Sequence, residues 1–304
     1  MTYRGRFAPS PTGPLHFGSL VAALASWLDA RANGGEWRVR IEDVDTERTV
    51  PGAADEILRA LEAFGLHWDG EVVRQSDRTE RYRDALEGLR AAGLVYRCKC
   101  SRREIADSAL QGIEGMIYPG TCSQLCLAPG IDGAERLRVP DRVIVFADRV
   151  MGRVAQNVAR EIGDFVLRRR DGLFAYQLAV VVDDGDQGIT DVVRGADLLL
   201  STPRQVLLQD CLSLSMLRYL HIPVATNAAG QKLSKQTRAT PLDPSRPAAA
   251  LSQALAFLGQ SPGDTADPGA LLAAAARSWK ASQIPCRASA PVTFRDGEAK
   301  TPSV

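Results

Sequence analysis

The first 45 residues constrain the fold more than any other part of the chain. Residues 7–20, FAPSPTGPLHFGSL, close a short apolar stretch with a turn rich in Pro and Gly. They pass directly into SLVAALASWLDARA, where Leu20, Ala23, Leu24, Trp27 and Leu28 recur at helical spacing. Gly34 and Gly35 stop that helix. EWRVRIEDVD then alternates, with Trp37, Val39 and Ile41 on one side, which predicts a strand. Strand, turn, helix, strand is the opening of a βαβ unit, and strands joined through a helix run parallel. The expected fold class is α/β.

Further on, residues 51–64 and 77–93 predict two amphipathic helices, the first opened by Pro51 and the second ended by Gly93. Residues 112–132 are dominated by Gly, Pro and Cys without periodicity, and 134–150 predict short strands of an insertion. FAYQLAVVVDD, 174–184, is an apolar run ending in paired aspartates and predicts a strand buried on both faces of a parallel sheet. DVVRGADLLLSTPRQVLLQDCLSL predicts a short strand, a loop and a helix beginning near Pro203, and YLHIPVATN, 219–227, another strand. Two alanine-rich helices, 246–258 and 268–281, precede a pattern-poor tail over 284–304. At 304 residues the chain is long enough for one large domain with an insertion. The expected division is a first catalytic half over 1–95, an insertion over 96–165, a second half over 166–240, a helical region over 241–283 and the tail.

Composition excludes some classes. Apolar residues make up 45% and charged residues 24%, as in ordinary globular chains, and the formal net charge is +1, so any polyanion would have to be met by local basic patches. The N-terminal MTYRGRFAPSP has no apolar core of signal-peptide length, and no run is long enough to span a membrane, so the expected location is the cytoplasm. Of six cysteines, Cys98, Cys100, Cys122 and Cys126 fall within 29 residues. In a reducing compartment that clustering favours a metal over disulfides. C-x-C followed by a turn-borne cysteine suits tetrahedral Zn2+ in a structural role, and composition alone points to the four cysteines.

The opening turn carries chemistry as well as topology. A helix N-terminus offers unpaired N–H groups and a positive dipole, both suited to phosphate. Pro and Gly leave room for close backbone approach, and His16 could donate to a phosphoryl oxygen or merely cap the helix. More than 200 residues later, KLSK at 232–235 puts Lys232, Lys235 and a hydroxyl in a loop after a predicted strand. Ammonium groups so placed stabilise charge moving onto a pyrophosphate leaving group.

PSPTGPLHFGS resembles the HIGH signature of class I aminoacyl-tRNA synthetases, with His16-Phe17-Gly18-Ser19 in its place, and KLSKQ resembles their KMSKS loop. RFAPSPTGPLH, RIEDVD, FAYQLAVVVDD, VRGADLL and HIPV are similar to the glutamyl branch, over residues 4 to 240. With 69 residues after Lys235, the chain looks like the truncated family that glutamylates queuosine in the anticodon loop of tRNA(Asp). The resemblance implies a Rossmann-like parallel-sheet catalytic domain with a zinc-containing insertion, a short helical C-terminal region and no anticodon-binding domain. It implies His16, Lys232 and Lys235 as catalytic residues, with Pro9, Gly18 and Ser19 joining them around ATP and Mg2+. For glutamate it implies Arg6, Phe7, Ala8, Pro9, Ser10, Glu42, Tyr176 and Arg194, with the arginines on carboxylates and Glu42 on the ammonium. For zinc it implies Cys98, Cys100, Tyr118 and Cys122, because the family pattern has a tyrosine four residues before the third cysteine.

The implied partners are L-glutamate, ATP and tRNA(Asp) carrying queuosine, with no membrane, and the expected state is a monomer. Arg102, Arg103 and the run 168–170 are candidate RNA contacts. Asp43 and Asp45 are expected to shape a loop; Asp183 and Asp184 could cap or orient the second half of the site, but a structural role is the expectation for them. The alternatives are a minimal synthetase that charges a tRNA 3′ end, and an inactive paralogue that only binds RNA or an amino acid.

Overall fold

Strand β1, Arg4–Phe7, pairs in parallel with β2, Glu36–Ile41, across helix α1, Phe17–Ala32, as the alternation of the first 45 residues requires. The computed structural model describes all residues except 1, 109, 126, 129, 234–240, 263–264 and 293–304. Helix α2, Ala53–Ala63, leads to β3, Val73–Arg74, which pairs in parallel with β2, and α3, Thr79–Ala91, leaves the sheet. Trp37, Val39 and Ile41 are fully buried, as predicted.

The intervening region begins with β4, Val95–Cys98, the short helix α4, Arg102–Ser108, and a minute hairpin of β5, Gln111–Gly112, and β6, Gly115–Met116. Strand β7, Ala134–Leu137, pairs antiparallel with β4. Strands β8, Val143–Asp148, and β9, Gly152–Asn157, form a hairpin, followed by α5, Val158–Glu161, and β10, Val166–Arg168, antiparallel to β7.

Residues 174–184 overturn one expectation. Tyr176–Asp186 is a helix, α6, with Leu178 through Asp184 all buried. A helix buried all round loses its polar stripe, so its apolar run looks like that of a strand buried on both faces. Strand β11, Asp191–Gly195, follows, then α7, Thr202–Cys211, with Pro203 in its first turn. The predicted strand 219–227 is broken at Pro223, which has no N–H to give a ladder, into β12, Arg218–Ile222, and β13, Val224–Thr226.

Strand β12 pairs in parallel with β11 and meets β8 where Tyr219 faces Asp148. The Thr190 N–H donates to the Arg4 carbonyl at 2.9 Å, which sets β11 beside β1. The strands therefore lie in the order β3, β2, β1, β11, β12, with the strand order reversing between β1 and β11. In open α/β sheets such a reversal leaves a crevice at the carboxyl ends of the strands.

Helices α8, Pro247–Phe257, and α9, Pro268–Ser278, pack on α1, where Phe257 meets Phe17 edge-on. Part of the predicted tail is ordered against the body: Ile284 is buried, and β14, Ser289–Pro291, pairs in parallel with β13. Asp29, buried in α1, gathers distant segments by accepting from Tyr3 Oη, both terminal nitrogens of Arg149 and Trp279 Nε1. Among the described residues no helix is long and apolar enough to cross a membrane.

Candidate active site

A cleft of about 500 Å³ opens at the carboxyl ends of β1, β11 and β12. One wall is the turn after β1 and the start of α1, with Pro9, Ser10, His16, Gly18 and Ser19. The other carries Gly195, Asp197 and Lys232. His16 is the N-cap of α1, and its Nδ1 accepts from the Ser19 N–H at 3.3 Å. The capping reading and the phosphate reading therefore coexist. With Nδ1 an acceptor, the neutral imidazole carries its proton on Nε2, which becomes the donor.

Gly18 explains its own identity. A Cβ there would stand 3.2 Å from the His16 ring and 3.4 Å from the Leu233 carbonyl, so a side chain would wedge the helix start away from the lysine-bearing segment. That segment is held by the Leu233 N–H, which donates to Ala225 at 2.8 Å, and by a bridge between Lys232 and Thr226. Lys232 forms an ion pair with Asp197 at the cleft wall. Lys235 lies outside the described residues.

The amino-acid side is built from buried charge. Arg6 on β1 gives Nε to Asp184 at 3.2 Å. Arg40 on β2, wholly buried, reaches Asp184 at 2.8 Å, Gln187 at 2.7 Å and Glu42 at 3.2 Å. Burial pushes the Glu42 carboxyl above its ordinary range against the opposing pull of Arg40 and Arg6. Burial acts on Asp184 in the same direction, but Arg6 and Arg40 overcome it and hold that carboxyl below the usual range. Tyr176 starts α6, not a strand. Its hydroxyl is raised by burial, with Glu42 adding to the shift while Arg194 and Arg6 oppose it, so the four expected glutamate side chains share one electrostatic neighbourhood.

Arg194 on β11 is 5% exposed and held on three sides. Its Nε donates to His221 Nε2 at 3.1 Å, and Nη2 to Thr202 Oγ1 and Gln205 Oε1, both at 2.8 Å. Its Nη1 has no hydrogen-bond partner among the described residues. Buried polar atoms are nearly always paired, so Nη1 is a donor that an anionic ligand would satisfy, one residue before Gly195 at the cleft wall.

Phe7 and Ser10 stand outside the buried charge cluster. Phe7 stacks on Trp37 and belongs to the core at the edge of the cleft. Ser10 is exposed. Sequence reading missed Arg40, Gln205, His221 and Asp148. The available signal was charge inside otherwise apolar strand patterns, WRVRI and YLHIP.

Asp183 accepts from Gln75, Arg78 and Tyr82, and Asp43 from the Ser76 N–H and hydroxyl, so both shape their surroundings as expected. Within the run 168–170, Arg169 pairs with Asp45 and Asp171, and Arg170 with Asp132.

The cysteine-rich insertion converges on one point. Tyr118 Oη lies 3.3 Å from Cys98 Sγ and 3.7 Å from Cys100 Sγ, and Cys100 Sγ is 3.5 Å from Cys122 Sγ. The three sulfurs lie within 4.8 Å of one another and could hold a metal ion. Tyr118 Oη also accepts from the Cys122 N–H at 2.9 Å, and Arg136 covers its ring at 3.9 Å. Cys126 lies outside the described residues.

Comparison with known proteins agrees with this geometry. Residues 2–246 match the family model described as tRNA synthetases class I (E and Q), catalytic domain. The Glutamyl-Q tRNA(Asp) synthetase of Dechloromonas aromatica is 60% identical over 93% of this chain and 96% of its own. The protein of the same name from Chromobacterium violaceum is 55% identical over 93% and 95%. Among solved structures, a glutamate tRNA ligase from Elizabethkingia meningosepticum in complex with its amino acid superposes with a TM-score of 0.80 at 26% identity, covering 96% of this chain and 67% of that one. With a family model over most of its length and relatives at 55–60% identity, the chain belongs to the class I tRNA synthetases of the E and Q type, within the glutamyl-Q tRNA(Asp) synthetase family.

Proposed function

We propose that the protein activates L-glutamate with ATP and transfers the glutamate to the queuosine base in the anticodon loop of tRNA(Asp). The observation that carries the amino-acid assignment is Arg194, buried, with Nη1 unpaired, and acting with Glu42 and Arg6 on the same buried Tyr176 hydroxyl. Arg194 and Arg6 suit the two carboxylates of glutamate, and Glu42 suits its ammonium. Tyr176 and Ser10 add hydrogen bonds, with the backbone of Phe7, Ala8 and Pro9 shaping the near wall.

ATP fits the cleft at the start of α1, against Pro9, Gly18 and Ser19. Magnesium, when bound, offsets the charge of the phosphates. An α-carboxylate oxygen of glutamate attacks the α-phosphorus, forming the O–P bond as the bond to pyrophosphate breaks. His16, donating from Nε2, Lys232 and Lys235 stabilise the charge that moves onto the leaving group. Lys232 must leave Asp197 to do so. A queuosine hydroxyl then attacks the activated carbonyl and expels AMP, a step for which positioning suffices.

Cys98, Cys100, Cys122 and the Tyr118 hydroxyl suit a structural Zn2+, which closes the insertion and leaves no ligand position for chemistry. The reaction is placed in the cytoplasm, carried out by a monomer.

Glutamate-dependent exchange of pyrophosphate into ATP tests the first step and is expected without tRNA. Glutamate transfer to tRNA(Asp) with and without queuosine, scored separately at the anticodon loop and the 3′ end, tests the second. Label confined to the queuosine-containing loop supports the proposal; label at the 3′ end overturns it.

A further inference from the structure

We infer that His221 and Asp148 are positioning residues that set the orientation of Arg194, and through it the selection of an acidic side chain. The inference rests on the proposed contact between Arg194 and substrate glutamate. The cleft wall holds Gly195, next to Arg194, and Ile222, next to His221, while His221 and Asp148 themselves lie behind it. They form a chain behind the arginine: Asp148 Oδ2 lies 2.7 Å from His221 Nδ1, and His221 Nε2 lies 3.1 Å from Arg194 Nε. All three are at most 5% exposed.

The proton positions follow from the partners. Arg194 can only donate, so His221 Nε2 must accept, and the proton of a neutral imidazole must sit on Nδ1. Asp148 is fitted to receive it. Besides Nδ1 it accepts from the His221, Val150 and Met151 N–H groups, at 3.1, 2.9 and 2.8 Å. Burial opposes its charge, but the bonds from His221 and from the Met151 and Val150 backbone hold the carboxyl below its usual range. Burial also holds His221 below the ordinary imidazole value, which keeps it neutral and an acceptor. Thr202 Oγ1, 3.2 Å from His221 Nε2, does not compete, because its hydroxyl proton goes to the Leu198 carbonyl at 3.0 Å.

The consequence is geometric. A guanidinium is planar, so fixing Nε on His221 and Nη2 on Thr202 and Gln205 fixes the direction of Nη1 as well. Nη1 is the nitrogen without a partner, and it is left aimed by the other two. A carboxylate meets such an oriented donor with a charge-assisted bond, whereas a carboxamide of the same shape loses that charge term. Remove His221 and the guanidinium can turn about its stem, so glutamate should lose affinity while ATP does not.

The experiment is glutamate-dependent pyrophosphate exchange with the full-length protein, measuring KM for glutamate, KM for ATP and kcat. His221→Leu is expected to raise KM for glutamate about tenfold to a hundredfold, leaving KM for ATP within about twofold, and to narrow discrimination against glutamine. His221→Gln, whose Oε1 stands where Nε2 stood, is expected to recover most of that loss, which a merely structural role would not predict. Asp148→Asn is expected to show an intermediate rise in KM for glutamate, and it carries the test with His221→Gln should the leucine variant not fold. An unchanged KM for glutamate in folded His221→Leu, an equal rise in KM for ATP, or no recovery in His221→Gln each overturns the inference. Arg194→Ala separates the two levels: if it keeps the wild-type KM for glutamate, the underlying site reading fails; if it loses glutamate while folded His221→Leu does not, only the positioning inference fails.

Discussion

The two sides of the cleft are built on opposite plans. The side proposed for the nucleotide is local: one turn, one helix end and the histidine that caps it, faced by Lys232. The amino-acid side draws side chains from β1, β2, α6, β11 and β12, residues up to 215 positions apart, from Arg6 to His221, and buries nearly all of them. A triphosphate arrives with its own charge and metal, and a helix end meets it at little cost in desolvation. A small amino acid must instead be told from its neighbours by one charged group, which requires fixed charges in a low dielectric, each with a partner to offset its burial.

Arg40 is where that requirement is most severe, since the cluster of Arg6, Arg40 and Arg78 with Glu42, Asp183 and Asp184 balances three guanidiniums against three carboxylates. Arg40→Met leaves the acids uncompensated, and chemical denaturation should show a loss of about 3–5 kcal/mol. An equally stable variant would break the contrast, because the network would then be dispensable. On the other side, His16→Ala should lower kcat for pyrophosphate exchange about tenfold to a hundredfold with KM for glutamate little changed. A matching rise in KM for glutamate would mean that the two sides are not separable.

Acid pH sharpens the comparison. Because burial raises the folded-state value of Glu42, its carboxylate forms only above the ordinary range, so kcat/KM for glutamate should fall about tenfold per pH unit below that raised value. Glu42→Gln should abolish that limb along with most activity. Stability moves the other way in the same window. Between the ordinary and the raised value the folded protein holds a proton the unfolded chain has released, so the Glu42 contribution falls as pH rises. Chelation of metal is the mildest perturbation. The cluster of Tyr96, Cys98, Tyr118 and Cys122 is separate from the two larger cores, so limited proteolysis should open 99–133 while the main unfolding transition shifts by only a few degrees.

The helix end proposed for the nucleotide was legible in the sequence and the buried charges proposed for glutamate only in part, for the same physical reason. His16, Gly18 and the helix they open lie within one turn, so spacing and residue type carry the information. Arg194 and Glu42 were readable through resemblance, but the groups that hold them were not. Arg40 finds its acids about 140 residues away, and His221 sits in an apolar strand with nothing nearby to mark Asp148 as its partner. Helix α6 was misread as a strand because its surroundings bury every side of it, and periodicity reports only contrast between faces. Cys98, Cys100 and Cys122 were readable from their clustering and do come together, whereas Tyr118 was pointed to only by the resemblance.

Asp29 has a consequence for the order in which the protein is made. It ties α1 to Tyr3, Arg149 and Trp279, and α1 is also the helix that His16 caps. A nascent chain that has emerged only as far as β12 already holds every side chain proposed for the glutamate pocket. The face of α1 that α8 and α9 cover is still bare, and Asp29 still lacks one donor. Long-range closure of this kind comes late in folding. The helix that His16 caps is therefore covered only by segments made more than 200 residues after it, and a chain cut short before α8 and α9 would present an apolar stripe to aggregation.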